Sequence, residues 1–105
     1  MRGTLAAARQ SLEASLREDQ TTEAQIELAR ADTLAGNLDP ARERLHRVLT
    51  VQPANFEALA IYAAIETRLQ DYTVATEYYR RALAVQDSPE LRAALARLPS
   101  TNAVK

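Results

Sequence analysis

Cysteine and tryptophan are absent from this chain of 105 residues, and histidine and lysine occur once each. Without thiols there can be no disulfide staple, thiolate metal site or thiol nucleophile, and one histidine leaves little for zinc ligation or a histidine general base. The missing cysteine does not fix a compartment. Glycine (2) and proline (4) are scarce, which excludes collagen-like and low-complexity architectures. An excess of one charge is also missing: 13 basic side chains face 14 acidic ones, for a net charge of -1. The chain as a whole therefore offers no electrostatic footprint for a phosphate backbone or an anionic bilayer. No apolar run approaches a membrane-spanning length, and Arg9, Gln10, Ser11 and Glu13 interrupt the stretch that a secretory leader would need. If the chain is complete, this predicts a cytoplasmic protein; if it is part of a longer one, the localisation is open. What the sequence does have is 47% apolar and 26% charged residues, with 21 alanines among them. That balance predicts a single soluble domain built of helices.

An internal repeat organises the chain. Laying residues 22–55 over 56–89 without gaps gives ten identities, among them Glu23/Glu57, Ala29/Ala63, Thr33/Thr67, Ala41/Ala75, Arg47/Arg81 and Leu49/Leu83. Composition alone would give roughly three. Packing character is kept elsewhere, as at Leu28/Tyr62, Leu45/Tyr79 and Asn37/Asp71.

Each unit reads as two helices with a tight turn between them. In the first, Thr22 is a candidate N-cap completed by Gln25, and Ile26, Leu28, Ala29, Ala31 and Leu34 carry a helix to Gly36. Asp39 is positioned to cap the next helix, with Pro40 in its first turn and Ala41, Leu45, Val48, Leu49 and Val51 on its apolar face. The second unit runs from Asn55 as N-cap to Leu69, turns at Gln70-Asp71, and continues from about Thr73 to Gln86. A capping helix follows over 89–98, with Leu91, Ala94, Leu95 and Leu98 on one stripe. Leu5, Ala8, Leu12 and Leu16 predict an N-terminal helix over 4–18 that packs on the first unit, and 99–105 is expected to be a disordered tail. Residues 1–98 thus form one helical domain.

The stretch Ala75-Thr76-Glu77-Tyr78-Tyr79-Arg80-Arg81-Ala82-Leu83, with Leu59, Tyr62-Ala63, Leu28-Ala29, Gly36, Ala41, Leu45, Val48 and Pro53 at matching spacings, resembles the tetratricopeptide repeat family. The resemblance covers residues 22 to 89. It departs where the family has a large aromatic, here Gln25 and Leu59, and where it has tyrosine, here Asp32 and Glu66; Asp87 replaces the terminal proline of the second unit. The resemblance implies an all-α fold of antiparallel helix pairs stacked in a right-handed superhelix, with a concave wall formed by the first helix of each unit.

No constellation for catalysis stands out. His46 falls on an outward face, Tyr62, Tyr72, Tyr78 and Tyr79 fall at packing positions, and Asp32 and Glu66 read as members of an ion network with nearby arginines rather than an acid-base pair. There is no glycine-rich phosphate loop, HExxH, nucleophile elbow or EF-hand loop. The reading is a non-enzyme without cofactor or metal.

What remains is surface. Spacings of three, seven and ten place Glu23, Ile26, Arg30 and Thr33, and then Glu57, Ala60, Ala64 and Thr67, on the wall of first helices, with Ile61 and Arg68 flanking. The relatives that clamp a C-terminal carboxylate carry Lys and Asn at places where this chain has Ile26, Arg30, Ala60 and Ala64, so that clamp is not expected here. The wall suits an extended or helical apolar segment of another protein, oriented by Arg30 and Arg68, while Arg42 on a second helix reads as a plain exposed residue. The alternatives are a self-association module that forms a homodimer and a small secretion-type chaperone. Twelve arginines to one lysine suggest a bacterial origin.

Overall fold

The computed structural model describes residues 21 to 99. These form five helices and no strands: α1 (Thr21–Ala35), α2 (Leu38–Val51), α3 (Phe56–Arg68), α4 (Tyr72–Val85) and α5 (Pro89–Arg97). The expected N-terminal helix over 4–18 and the tail beyond Pro99 lie outside the described residues. α1 pairs with α2 across a two-residue turn and α3 with α4 across a three-residue one; α2 and α1 both pack on α3, and α5 packs on α4. The protein is therefore all-α, with consecutive helix pairs stacked as repeats.

The two units share their turn chemistry. At the end of α1 the Asn37 amide donates to the Asp32 carbonyl at 2.8 Å and the Gly36 amide to Thr33 at 3.1 Å; at the end of α3, Asp71 donates to Glu66 at 2.9 Å and Gln70 to Thr67 at 3.0 Å. This pair of hydrogen bonds satisfies carbonyls in the last turn of a helix and requires a left-handed residue after it. Gly36 supplies that conformation at φ 87°, whereas Gln70 is driven into it at φ 65°. Asn55, Asp71 and Ser88 then cap the following helices by accepting from the amides of Ala58, Val74 and Leu91.

Two of the expected start signals are corrected. α2 begins directly after the turn with Asn37 in the cap position, so Asp39 and Pro40 lie within its first turn. Proline is tolerated there because the first amides of a helix have no intrahelical partner. Thr22 lies inside α1, and the Gln25 side chain accepts from Arg44 at 3.0 Å instead of closing a capping box.

Small residues set the spacing of each pair. Ala29 and Ala41 in the first unit, and Ala63 and Ala75 in the second, are fully buried where the paired helices meet. One core runs across the unit boundary: Ile26, Ala29, Ala41, Leu45, Val48 and Leu49 join Ala58, Leu59, Tyr62, Ile65 and Ala82. A smaller cluster of Ala63, Ala75 and Tyr79 receives Leu91, Ala94, Leu95 and Leu98 around α5. These α5 residues are only partly buried, as befits a helix that closes the end of a stack.

Candidate functional site

α1 and α3 lie against each other, which brings the sequence-predicted wall together along two helices. Glu23, Arg30, Glu57 and Arg68 are exposed on it, and Thr33, Ala60, Ile61, Ala64 and Thr67 are half-buried. Ile26 is the exception. It is 2% exposed and belongs to the core, because residues 26, 29 and 33 share the stripe of α1 that faces its neighbours, so it can touch no partner.

The side chains of the wall are partly committed. The Thr33 hydroxyl donates to the Ala29 carbonyl at 2.7 Å and the Thr67 hydroxyl to Ala63 at 2.9 Å. With its donor used, each threonine offers a surface of methyl group and oxygen lone pair. Arg68 Nη1 donates to the Thr33 carbonyl at 2.6 Å, tying the last turn of α1 to α3. Arg68 is exposed, and this bond engages one of its two terminal nitrogens. Arg30 sits 3.8 Å from both Glu27 and Glu57, and all three side chains are largely in water. Such contacts contribute little and leave guanidinium donors free to turn outward.

A second arrangement lies at the junction of α2, α3 and α4, where the sequence places Glu66 in an ion network with nearby arginines but reads Arg42 as a plain exposed residue. Glu66 on α3 is 1% exposed, and Arg42 Nε lies 2.8 Å from its Oε2. The N–H does not point along that line, so the contact is one of charge, and both carboxylate oxygens lack a hydrogen bond among the described residues. The Tyr62 hydroxyl beside the Arg42 guanidinium holds the arginine pKa above its ordinary value, and the Glu66 charge adds to that. Burial in turn pushes the Tyr62 phenol up, more than the neighbouring Arg42 pulls it down. The Tyr62 ring stacks on Tyr78 with centroids 4.5 Å apart, and the Arg81 guanidinium lies 4.7 Å over Tyr78. Arg42 is thus no plain surface residue but the cation beside a buried carboxylate. Asp32 and Glu66 do not meet; Asp32 pairs with Arg44 at 3.2 Å.

A signal for this junction was present. Glu66 falls seven residues after Leu59 and four after Tyr62, on the same stripe of α3. An acid on a stripe that packs inward requires a cation from the helix it faces.

Beside the junction, Asp39, Pro40, Arg42, Glu43, His46 and Tyr62 line a shallow open depression of about 680 Å³. His46 is exposed at its rim. Among the described residues no helix is long and apolar enough to cross a membrane, and no three His, Cys, Asp or Glu side chains group as metal ligands do. No protein-family model matches the chain, and a search of curated proteins finds no match.

Proposed function

We propose that the chain is a protein-interaction module of the tetratricopeptide kind, which seats an extended or helical apolar segment of another protein on the wall of α1 and α3. The reading invokes no catalysis and no cofactor. The observation that carries it is the strip of small half-buried side chains, Ala60 and Ala64, with Glu23, Arg30 and Glu57 exposed around it. A backbone or apolar side chain can approach such a strip closely, while the mixed charges at its edge fix direction.

The test is an unbiased pull-down with the whole chain as bait, repeated with Ala64→Arg and with Arg47→Glu. Arg47 is exposed on α2 and pairs only loosely with Glu43 at 3.8 Å, so it is a suitable control where Arg42 is not. The same partner should be lost with Ala64→Arg and kept with Arg47→Glu. The opposite result would place the binding surface on the second helices and end this reading.

A further inference from the structure

The wall of α1 and α3 is made of two matched stripes. Residues 23, 27, 30 and 34 on α1 and 57, 61, 64 and 68 on α3 recur at spacings of four, three and four, so each set lies along one face of its helix. The two sets are repeat equivalents: Glu23 with Glu57, Glu27 with Ile61, Arg30 with Ala64 and Leu34 with Arg68. The α1 stripe is exposed throughout, as are Glu57 and Arg68 on α3, while Ile61 and Ala64 are half-buried. α1 and α3 run in the same direction, because Arg30 reaches Glu57 at the start of α3, and the Thr33 carbonyl near the end of α1 meets Arg68 at the end of α3.

The two ends of this wall differ in chemistry. Where both helices begin, Glu23, Glu27 and Glu57 place three exposed carboxylates against the single guanidinium of Arg30, which lies 3.8 Å from two of them. Ile61 and Ala64 stand in the middle. At the far end Leu34 is 83% exposed, more than any other large apolar side chain among the described residues, and Arg68 lies across the same turn with one terminal nitrogen on the Thr33 carbonyl. The sequence counts Leu34 among the apolar residues that carry α1, yet its place follows Glu23, Glu27 and Arg30 and not the buried Ile26 and Ala29. A lone exposed leucine is ordinary, but this one closes the charged stripe on the face that α1 and α3 share. Glu23 and Leu34 are eleven residues apart, about 16 Å of helix.

We propose that the wall fixes the direction of the segment it holds: a lysine or arginine at one end of that segment seats over Glu23, Glu27 and Glu57, and a large apolar side chain about 16 Å further on seats on Leu34 beside Arg68. The inference rests on the reading of this wall as the binding surface and adds the chemistry of its occupant. Charge complementarity sets the direction, since the three carboxylates attract a basic end and repel an acidic one. At the other end, Leu34 and the methylene stem of Arg68 together offer apolar surface. A second copy of this wall is a poor occupant: laid antiparallel it brings only Arg68 to the three carboxylates, and laid parallel it brings acids against acids. The occupant is therefore a segment of a different protein.

The probe is a library of random peptides of about sixteen residues, long enough to span the wall as a helix, selected on the full chain and filtered for peptides that the Ala64→Arg variant no longer binds. The retained peptides should carry Lys or Arg toward one end and Leu, Ile, Met or Phe toward the other. For one such peptide, fluorescence anisotropy should show binding weakened about tenfold by Glu23→Gln/Glu27→Gln/Glu57→Gln at low salt and much less at high salt. Leu34→Gln should weaken it about tenfold at both. All four substituted side chains are exposed, so the variants should keep the parent's circular dichroism. A photo-crosslinker beside the peptide's basic residue should label the first turns of α1 and α3. Retained peptides without an excess of base at one end, unchanged affinity in either variant, or cross-links at the Leu34 end would each overturn the proposed direction while leaving the wall as the binding surface. A library that yields no peptide sensitive to Ala64→Arg would overturn the reading of the wall itself, and this inference with it.

Discussion

Removing Arg42 would leave the Glu66 carboxylate buried with no cation beside it among the described residues. Loss of one member of a buried pair costs about 3 to 5 kcal/mol, and since Arg42 keeps its outer part in water the lower end applies, about 3 kcal/mol for Arg42→Ala. In a Glu66→Leu background the same change should cost less than about 1 kcal/mol, because there is no longer a charge to strand. Urea denaturation of the four proteins checks both figures. Tyr62 gives the junction a pH dependence. Its pKa is raised in the folded chain by burial, so the native state holds the proton more tightly. The stability it contributes is full below the unfolded tyrosine value of about 10 and is lost as the pH rises through the folded value. Tyr62→Phe should therefore make the alkaline loss of stability shallower, and a spectroscopic phenol titration should lose its latest-titrating component.

At the scale of the helix, one backbone position separates the two units. Gly36 and Gln70 occupy the same left-handed place after α1 and α3, and only the glycine does so freely. Gln70→Gly should stabilise by up to about 1 kcal/mol, and Gly36→Ala should destabilise by a similar amount. A Cβ at residue 36 would meet nothing within 4 Å, so the second effect is one of backbone conformation alone. Thermal melts of both variants decide it. Ala41→Leu and Ala75→Leu should each cost about 1 to 3 kcal/mol by forcing the paired helices apart, again read by melting. Over the described residues, helix pairing and the turns at residues 36–37 and 70–71 were legible because small residues, turn formers and caps recur at a fixed offset, and such signals act within a few residues. The wall was legible in part. Spacing places residues on a face of one helix, but whether that face meets water depends on the neighbouring helices, which is why Ile26 passed for surface and Arg42 for a residue without a role. The internal bond of Arg68 to the Thr33 carbonyl was hidden for the same reason, since it spans 35 positions.

At the scale of the molecule, the larger core draws on four helices and does not stop at the boundary between units. Neither unit can lose its fold without exposing the other's apolar residues, so unfolding should be a single transition, with fluorescence and circular dichroism changes superimposing on denaturant. The connection between α2 and α3, by contrast, is short and exposed at Gln52, Pro53 and Ala54. A chain cut there would yield two pieces, 1–53 and 54–105, each carrying half of one interior and a matching half of the Arg42 and Glu66 contact. Mixed in solution, they should regain helicity that neither has alone, and substitution of Glu66 should weaken that recovery. The unit boundary would then work as a complementation site, at which two separately produced polypeptides are rejoined by packing without a peptide bond.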